Sequence, residues 1–187
     1  MYVQRFLGSA WASVHGPKDP QKLLRSLLES DFAGLSASPS PRPIRWPDVR
    51  EAAADLPVRF PCVRASNPLA ERSALQALCS QSEGERAVAH GAIRDAIACA
   101  EVVGSEVVVL DLGVVGITGE IEAEDLGEPN YDWTHERAHA LLARRKIGRN
   151  AAVDRACREL FAAIKMFPDM HFCVTQGRSL RSVLDLE

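Results

Sequence analysis

The chain has 187 residues, 47% hydrophobic and 25% charged, with a formal net charge of −3. These values suit one globular domain and give no general attraction to nucleic acid or to an acidic membrane surface. No apolar run approaches the ~18 residues of a transmembrane helix, and the first residues lack the apolar stretch of a signal peptide.

Residues Val3–Ala12 read as a first strand. Asp19-Pro20 is an N-cap followed by proline at the first helical position, and Leu23, Leu24, Leu27 and Leu28 continue at helical spacing over Pro20–Ser30. Phe32–Ala37 is a second strand. Ser38–Pro47 holds four prolines and is a loop. Pro47–Leu56 reads as a second helix and Pro57–Ala65 as a third strand, with Pro61 marking a bulge or an edge. Asn67–Glu83 is polar and irregular. Glu85–Val103 is the strongest helical pattern, with Val88, Ala92, Ile93, Ala96, Ile97 and Ala100 on one stripe and Gly104 as its stop. Val107–Leu112 is nearly all apolar, the pattern of a strand buried on both faces.

Gly113–Trp133 contains six acidic residues and four glycines and reads as a long loop. Asp132 or Thr134 could cap the helix after it. That helix runs from about Thr134 to Met166 with a break near Gly148, and Val153, Cys157, Leu160, Phe161 and Ile164 share its apolar face. His171–Val174 is a fifth strand, and Ser179–Leu186 starts a further helix. Strand, loop and helix in alternation predict a parallel sheet with helical crossovers. The (β/α)₈ barrel is the commonest such array, but it takes about 250 residues, so this chain has room for about five units.

The five cysteines, Cys62, Cys79, Cys99, Cys157 and Cys173, are odd in number and form no Cys-x-x-Cys pair. Free thiols in a reducing cytoplasm are expected. His135 and His139 stand at i and i+4, a spacing that can grip a metal, although an exposed helix face accounts for them more simply. The basic run Arg144, Arg145, Lys146 and Arg149 reads as a solvated helix face, with a phosphate patch as the lesser alternative. No nucleotide-binding glycine motif or nucleophile elbow is present.

Three passages carry a family likeness. The helix–strand passage Ala96–Gly113 (AIACAEVVGSEVVVLDLG), the strand end Asp169–Arg178, and more weakly Phe32–Ser36 with Pro57–Ala65 resemble the xylose isomerase-like TIM-barrel superfamily. That superfamily includes sugar-phosphate isomerases, epimerases and endonuclease IV-type enzymes. The resemblance implies an α/β fold: a partial (β/α)₈ TIM barrel filling residues 1–187 as a single domain without units six to eight. It also implies a divalent metal at the C-terminal mouth, held in the family by Glu, Asp and His. Where the family often has His at the end of the fourth strand, this chain has Asp111. Where the family has Glu-Asn-Arg after the fifth, it has Gln176-Gly177-Arg178. Neutral Gln is a poor ligand for a hard cation, so no cofactor is expected for this chain.

Barrel residues at strand C-termini face the mouth, which selects Trp11, Arg64, Asp111, Gln176 and Arg178 as substrate-binding candidates. Each has a structural alternative. Trp11 can be packing, and Arg64 a surface ion pair. Asp111, costly inside an apolar run unless bonded, can cap a loop or pair with Arg64 or Arg178. Gln176 and Arg178 can orient a polyol or merely end a strand. Two functions remain open: a cytoplasmic sugar-phosphate isomerase or epimerase-like protein acting on a sugar or polyol, or a non-catalytic, truncated relative serving as a binding module. An incomplete barrel also predicts self-association, or a missing C-terminal half, as the partner of its open edges.

Overall fold

A computed structural model describes residues 4–37, 44–65, 78–113, 115 and 136–175. The expected Pro-rich loop at 38–43, most of the irregular stretch at 66–77, the acidic loop at 116–133 with the Asp132 and Thr134 caps, His135, and the segment 176–187 lie outside these residues.

Strand β1 covers only Phe6–Gly8, and helix α1 follows directly at Ser9–His15. The expected strand to Ala12 is therefore cut short. Ala10 and Ala12 are strong helix formers, and Ala12 is fully buried on the helix. Helix α2, Pro20–Glu29, starts as its sequence dictates: Asp19 Oδ1 accepts from Lys22 N at 2.8 Å. It ends in a Schellman motif, with Phe32 N donating to Leu27 O and Asp31 N to Leu28 O. Asp31 takes the left-handed position at φ 61° that glycine usually fills.

Strand β2 (Gly34–Ser36), helix α3 (Trp46–Ala52) and strand β3 (Val63–Arg64) come next. Strand β3 is much shorter than Pro57–Ala65, because prolines 57 and 61 supply no ladder donors. Helix α4 spans Glu83–Val103 and stops at Gly104 (φ 72°), strand β4 spans Val107–Asp111, helix α5 spans Glu136–Met166, and strand β5 spans His171–Thr175. Helix α5 is continuous through Gly148. One glycine costs a helix only about 1 kcal/mol, and the next proline is Pro168.

The chain gathers into two compact units. One takes Met1–Ser66, Ala92–Leu110 and Pro168–Cys173, and the other Asn67–Gly91, Asp111–Phe167 and Val174–Glu187. The first unit is built on parallel strands. Strand β1 pairs with β2 in the register Leu7↔Leu35, and β3 pairs with β4 in the register Val63↔Val108. Isolated parallel bridges, Gly34↔Arg59 and Ala37↔Val63, join β2 to the β3 segment. Strand β5 neighbours β4, with His171 N donating to Glu106 O at 2.8 Å. Neighbours thus follow chain order.

The two faces of this sheet differ. Leu35, Ala37, Val63, Val108 and Leu110 are sealed, each at most 3% exposed. Right-handed crossovers between strands in chain order put the helices on one side, and the buried leucines of α2 and Ile93, Ala96 and Ile97 of α4 supply that layer. On the other face, Phe6, Ser36, Val107 and Val109 are half-buried and Arg64 is exposed. The expectation that β4 is buried on both faces is therefore corrected: its apolar residues alternate between buried and half-buried.

In the second unit, α5 turns an alanine seam inward. Ala152, Ala156 and Ala163 are buried. Cys157, Phe161 and Ile164, expected on the core face, are exposed. Lys165 Nζ stands 4.5 Å from the centre of the Phe161 ring. Val88 on α4 is likewise exposed rather than part of the buried stripe.

Candidate functional site

The most developed polar arrangement lies in the second unit, where β4 ends. Asp111 is exposed, and its Oδ1 accepts from Gly113 N at 2.9 Å, so the carboxylate turns the chain through Gly113 (φ 97°). This is the loop-capping alternative for Asp111. Beside it, Cys79 N donates to Leu112 O at 3.3 Å, which lays the segment 78–82 along the strand end.

That segment is fixed by the first turns of α4. Glu85 N donates to Ser82 Oγ at 3.4 Å, the backbone half of a capping box. The Glu85 carboxylate turns instead to Ser80, whose buried hydroxyl donates to Oε2 at 2.6 Å and accepts from Ser82 N at 3.0 Å. Arg86 is the centre of the arrangement. Its Nη1 donates to the Ser80 and Gln81 carbonyls, both at 2.9 Å, and its Nε stands 3.0 Å from Glu159 Oε1. The other Glu159 oxygen is 2.7 Å from His90 Nε2. Arg155, four residues before Glu159 on α5, donates from Nε to Cys79 O at 2.8 Å. Arg86, His90 and Glu159 side chains are each 21–26% exposed, so these charge-assisted bonds are partly shielded from water. The alanine seam of α5 presents Glu159 to α4, since position 159 falls on the same face as Ala152, Ala156 and Ala163.

His90 is therefore half-buried and paired. Arg86 and Glu159 escaped sequence reading because they are remote in the chain. The local signals were Ser82-x-x-Glu85 and the i,i+4 pair of Arg86 and His90.

The candidates chosen from the sequence fare unequally. Asp111 stands at a strand end. Arg64 ends β3 and is exposed. Trp11 is not at a strand end: it lies on α1, 56% exposed, and its ring centre is 5.0 Å from that of His15. Gln176 and Arg178 lie outside the described residues. His139 is exposed on α5, and His171 is exposed at the start of β5.

Burial pushes the Cys79 thiol up to about 11, against the opposing pull of Arg155, and burial pushes Cys99 up to about 11 as well. Cys157 and Cys173 are exposed. Alkylation at pH 8 followed by peptide mass mapping should label Cys157 and Cys173 first and Cys79 and Cys99 last. Early loss of Cys79 would mean that the 78–82 segment opens. The raised pKa values also fix a sign: their contribution to stability is complete below the ordinary thiol value of 9.0 and is lost as pH rises towards 11.

No protein-family model and no curated protein matches the sequence. Among solved structures, an AP endonuclease, family 2, from Brucella melitensis superposes with a TM-score of 0.54 at 12% identity, over 93% of this chain and 55% of that one. The chain is mixed α/β with parallel strands, and this structural neighbour is a TIM barrel. At 12% identity the likeness is one of fold, and the chain spans about half the length of that neighbour. It explains why strands follow chain order with helices between them. Among the described residues, no helix is long and apolar enough to cross a membrane.

Proposed function

We propose that this chain is a sugar- or polyol-binding protein of the xylose isomerase-like superfamily, built as an incomplete barrel of about five β/α units, with its binding face at the C-terminal ends of the strands. The observation that carries the reading is Asp111. Its Oδ1 is committed to Gly113 N, while the exposed carboxylate keeps a second oxygen for the hydroxyl of a ligand. Arg64, Gln176 and Arg178 are the further candidates for such a ligand, and Trp11 the least of them. A screen of pentoses, hexoses, their phosphates and alditols by saturation-transfer NMR tests it. Asp111→Asn should keep the Gly113 bond but weaken binding about tenfold, the scale of one hydrogen bond to a charged acceptor. Absence of any polyol signal, or equal binding by Asp111→Asn and the parent chain, would overturn the reading.

A second reading, a binding module without catalysis, is favoured by one feature. The acidic groups around the end of β4 are largely engaged: Glu85 with Ser80, Glu159 with Arg86 and His90, and one of the two Asp111 oxygens with Gly113. Among the described residues, no three His, Cys, Asp or Glu side chains gather as metal ligands. On this reading the chain binds without a divalent ion, and the neutral Gln176 at the family's Glu position is a poor ligand for one. Endonuclease activity belongs to the Brucella protein. The net charge of −3 gives this chain little attraction to a polyanion, and tight binding of an abasic-site duplex in the same screen would contradict the polyol assignment.

The half-buried sheet face suggests what the chain associates with. Its apolar area is unfavourable in water at roughly 25 cal/mol per Å², and a second copy seated face to face would cover it. Light scattering should find a dimer. A monodisperse 20.4 kDa species at high concentration would show that the face needs no cover.

A further inference from the structure

The first unit contains a cavity of about 350 Å³ at the start of α2 and α3. Ala12, Leu23 and Val49, all buried, line it together with Ile44. Three charged residues line it: Lys18, Arg45 and Asp48. Arg45 Nε is 3.5 Å from Asp48 Oδ2, so those two charges largely answer one another. Lys18 has no ion-pair partner among the described residues. Among the described residues, the cavity thus joins buried apolar side chains to one positive charge without an ion-pair partner.

We propose that this cavity binds a small organic carboxylate with an unbranched apolar tail. A pocket of this volume with mostly apolar walls and a few polar groups has the general make-up of a small-molecule site. The tail would displace water from Ala12, Leu23 and Val49, where burial of hydrocarbon is favourable. The carboxylate would meet the Lys18 ammonium, and one charge matches one charge. A polyol fits poorly, because most of the wall offers its hydroxyls no partner and each unpaired hydroxyl is costly. All lining residues fall between positions 12 and 49, so this inference does not rest on the Asp111 reading.

Octanoate is the probe, followed by tryptophan fluorescence, since Trp11 adjoins Ala12 and Trp46 adjoins Arg45 in the chain. Saturable binding is expected at millimolar octanoate. Acetate, which lacks the tail, and 1-octanol, which lacks the charge, should each bind at least about tenfold more weakly. Lys18→Glu, an exposed position that should leave the fold intact, should weaken octanoate about tenfold or more. Arg25→Glu makes the same charge change on α2 away from the cavity and should leave binding unchanged. Three results would each overturn the proposal: no saturation, octanol binding as well as octanoate, or Arg25→Glu weakening octanoate as much as Lys18→Glu. The polyol screen and this titration use different ligands and different variants, so either can fail alone.

Discussion

Replacing Gly34 by alanine should lower the melting temperature by roughly 10 °C. Gly34 sits where β2 meets the segment leading into β3, and its backbone is pressed against Arg59. A Cβ built there overlaps the Arg59 carbonyl oxygen and lies 2.7 Å from its nitrogen. Those atoms are backbone and cannot swing aside. They are also engaged: Leu35 N donates to Arg59 O and Arg59 N to Ala33 O, each at 3.0 Å. A methyl group must therefore push the strands apart and break both bonds. Overpacking of this kind costs about 3 kcal/mol, and a chain of this length loses about 2–4 °C per kcal/mol. Thermal unfolding followed by circular dichroism measures it. A shift within error would mean that β2 is not seated against Arg59, and the strand order would have to be redrawn.

The second large effect separates the two sheet faces. Leu110 is 1% exposed on the sealed face, and Val109 beside it is half-buried on the other. Leu110→Ala should cost about 3–5 kcal/mol, the range for deleting a buried leucine with little relaxation. Val109→Ala removes fewer methyl groups from a site already in contact with water, and should cost about 1 kcal/mol or less. Urea denaturation of the two variants decides the matter, with equal slopes expected and different midpoints. Equal losses would mean that both faces are packed alike.

Much of the layout was legible because it is written locally. Asp19-Pro20 set the start of α2, the stripe from Ala92 to Ala100 set the inner face of α4, and Gly104 set its end. The run from Val107 announced β4. Other features needed the folded chain. Trp11 passed for a strand residue because Val3–Ala12 carries no period strong enough to separate a short strand from the helical turn after it. Asp31 closes α2 in the left-handed conformation, which Asp adopts more readily than most residues but which glycine signals far more plainly. Helix α5 misled most: its largest apolar residues pointed to a core that its alanines occupy instead. Which face packs depended on Glu159 reaching Arg86 and His90, the latter 69 positions away in sequence, and no local pattern encodes that meeting. At the candidate site, Asp111 could be named from its place in an apolar strand. The bracket around Ser80 could not, because each of its bonds joins groups that are ordinary on their own.

The planar guanidinium of Arg86 holds two successive carbonyls and a carboxylate at fixed angles. Segment 78–82 is therefore ordered during folding, before any ligand arrives. The conformational entropy of those residues is already spent, and a molecule that settles against them gains contact without having to arrange them first. Such rigidity favours a narrow set of shapes over a broad one, so whatever binds beside Cys79 should be selected more by fit than by the adaptability of the loop.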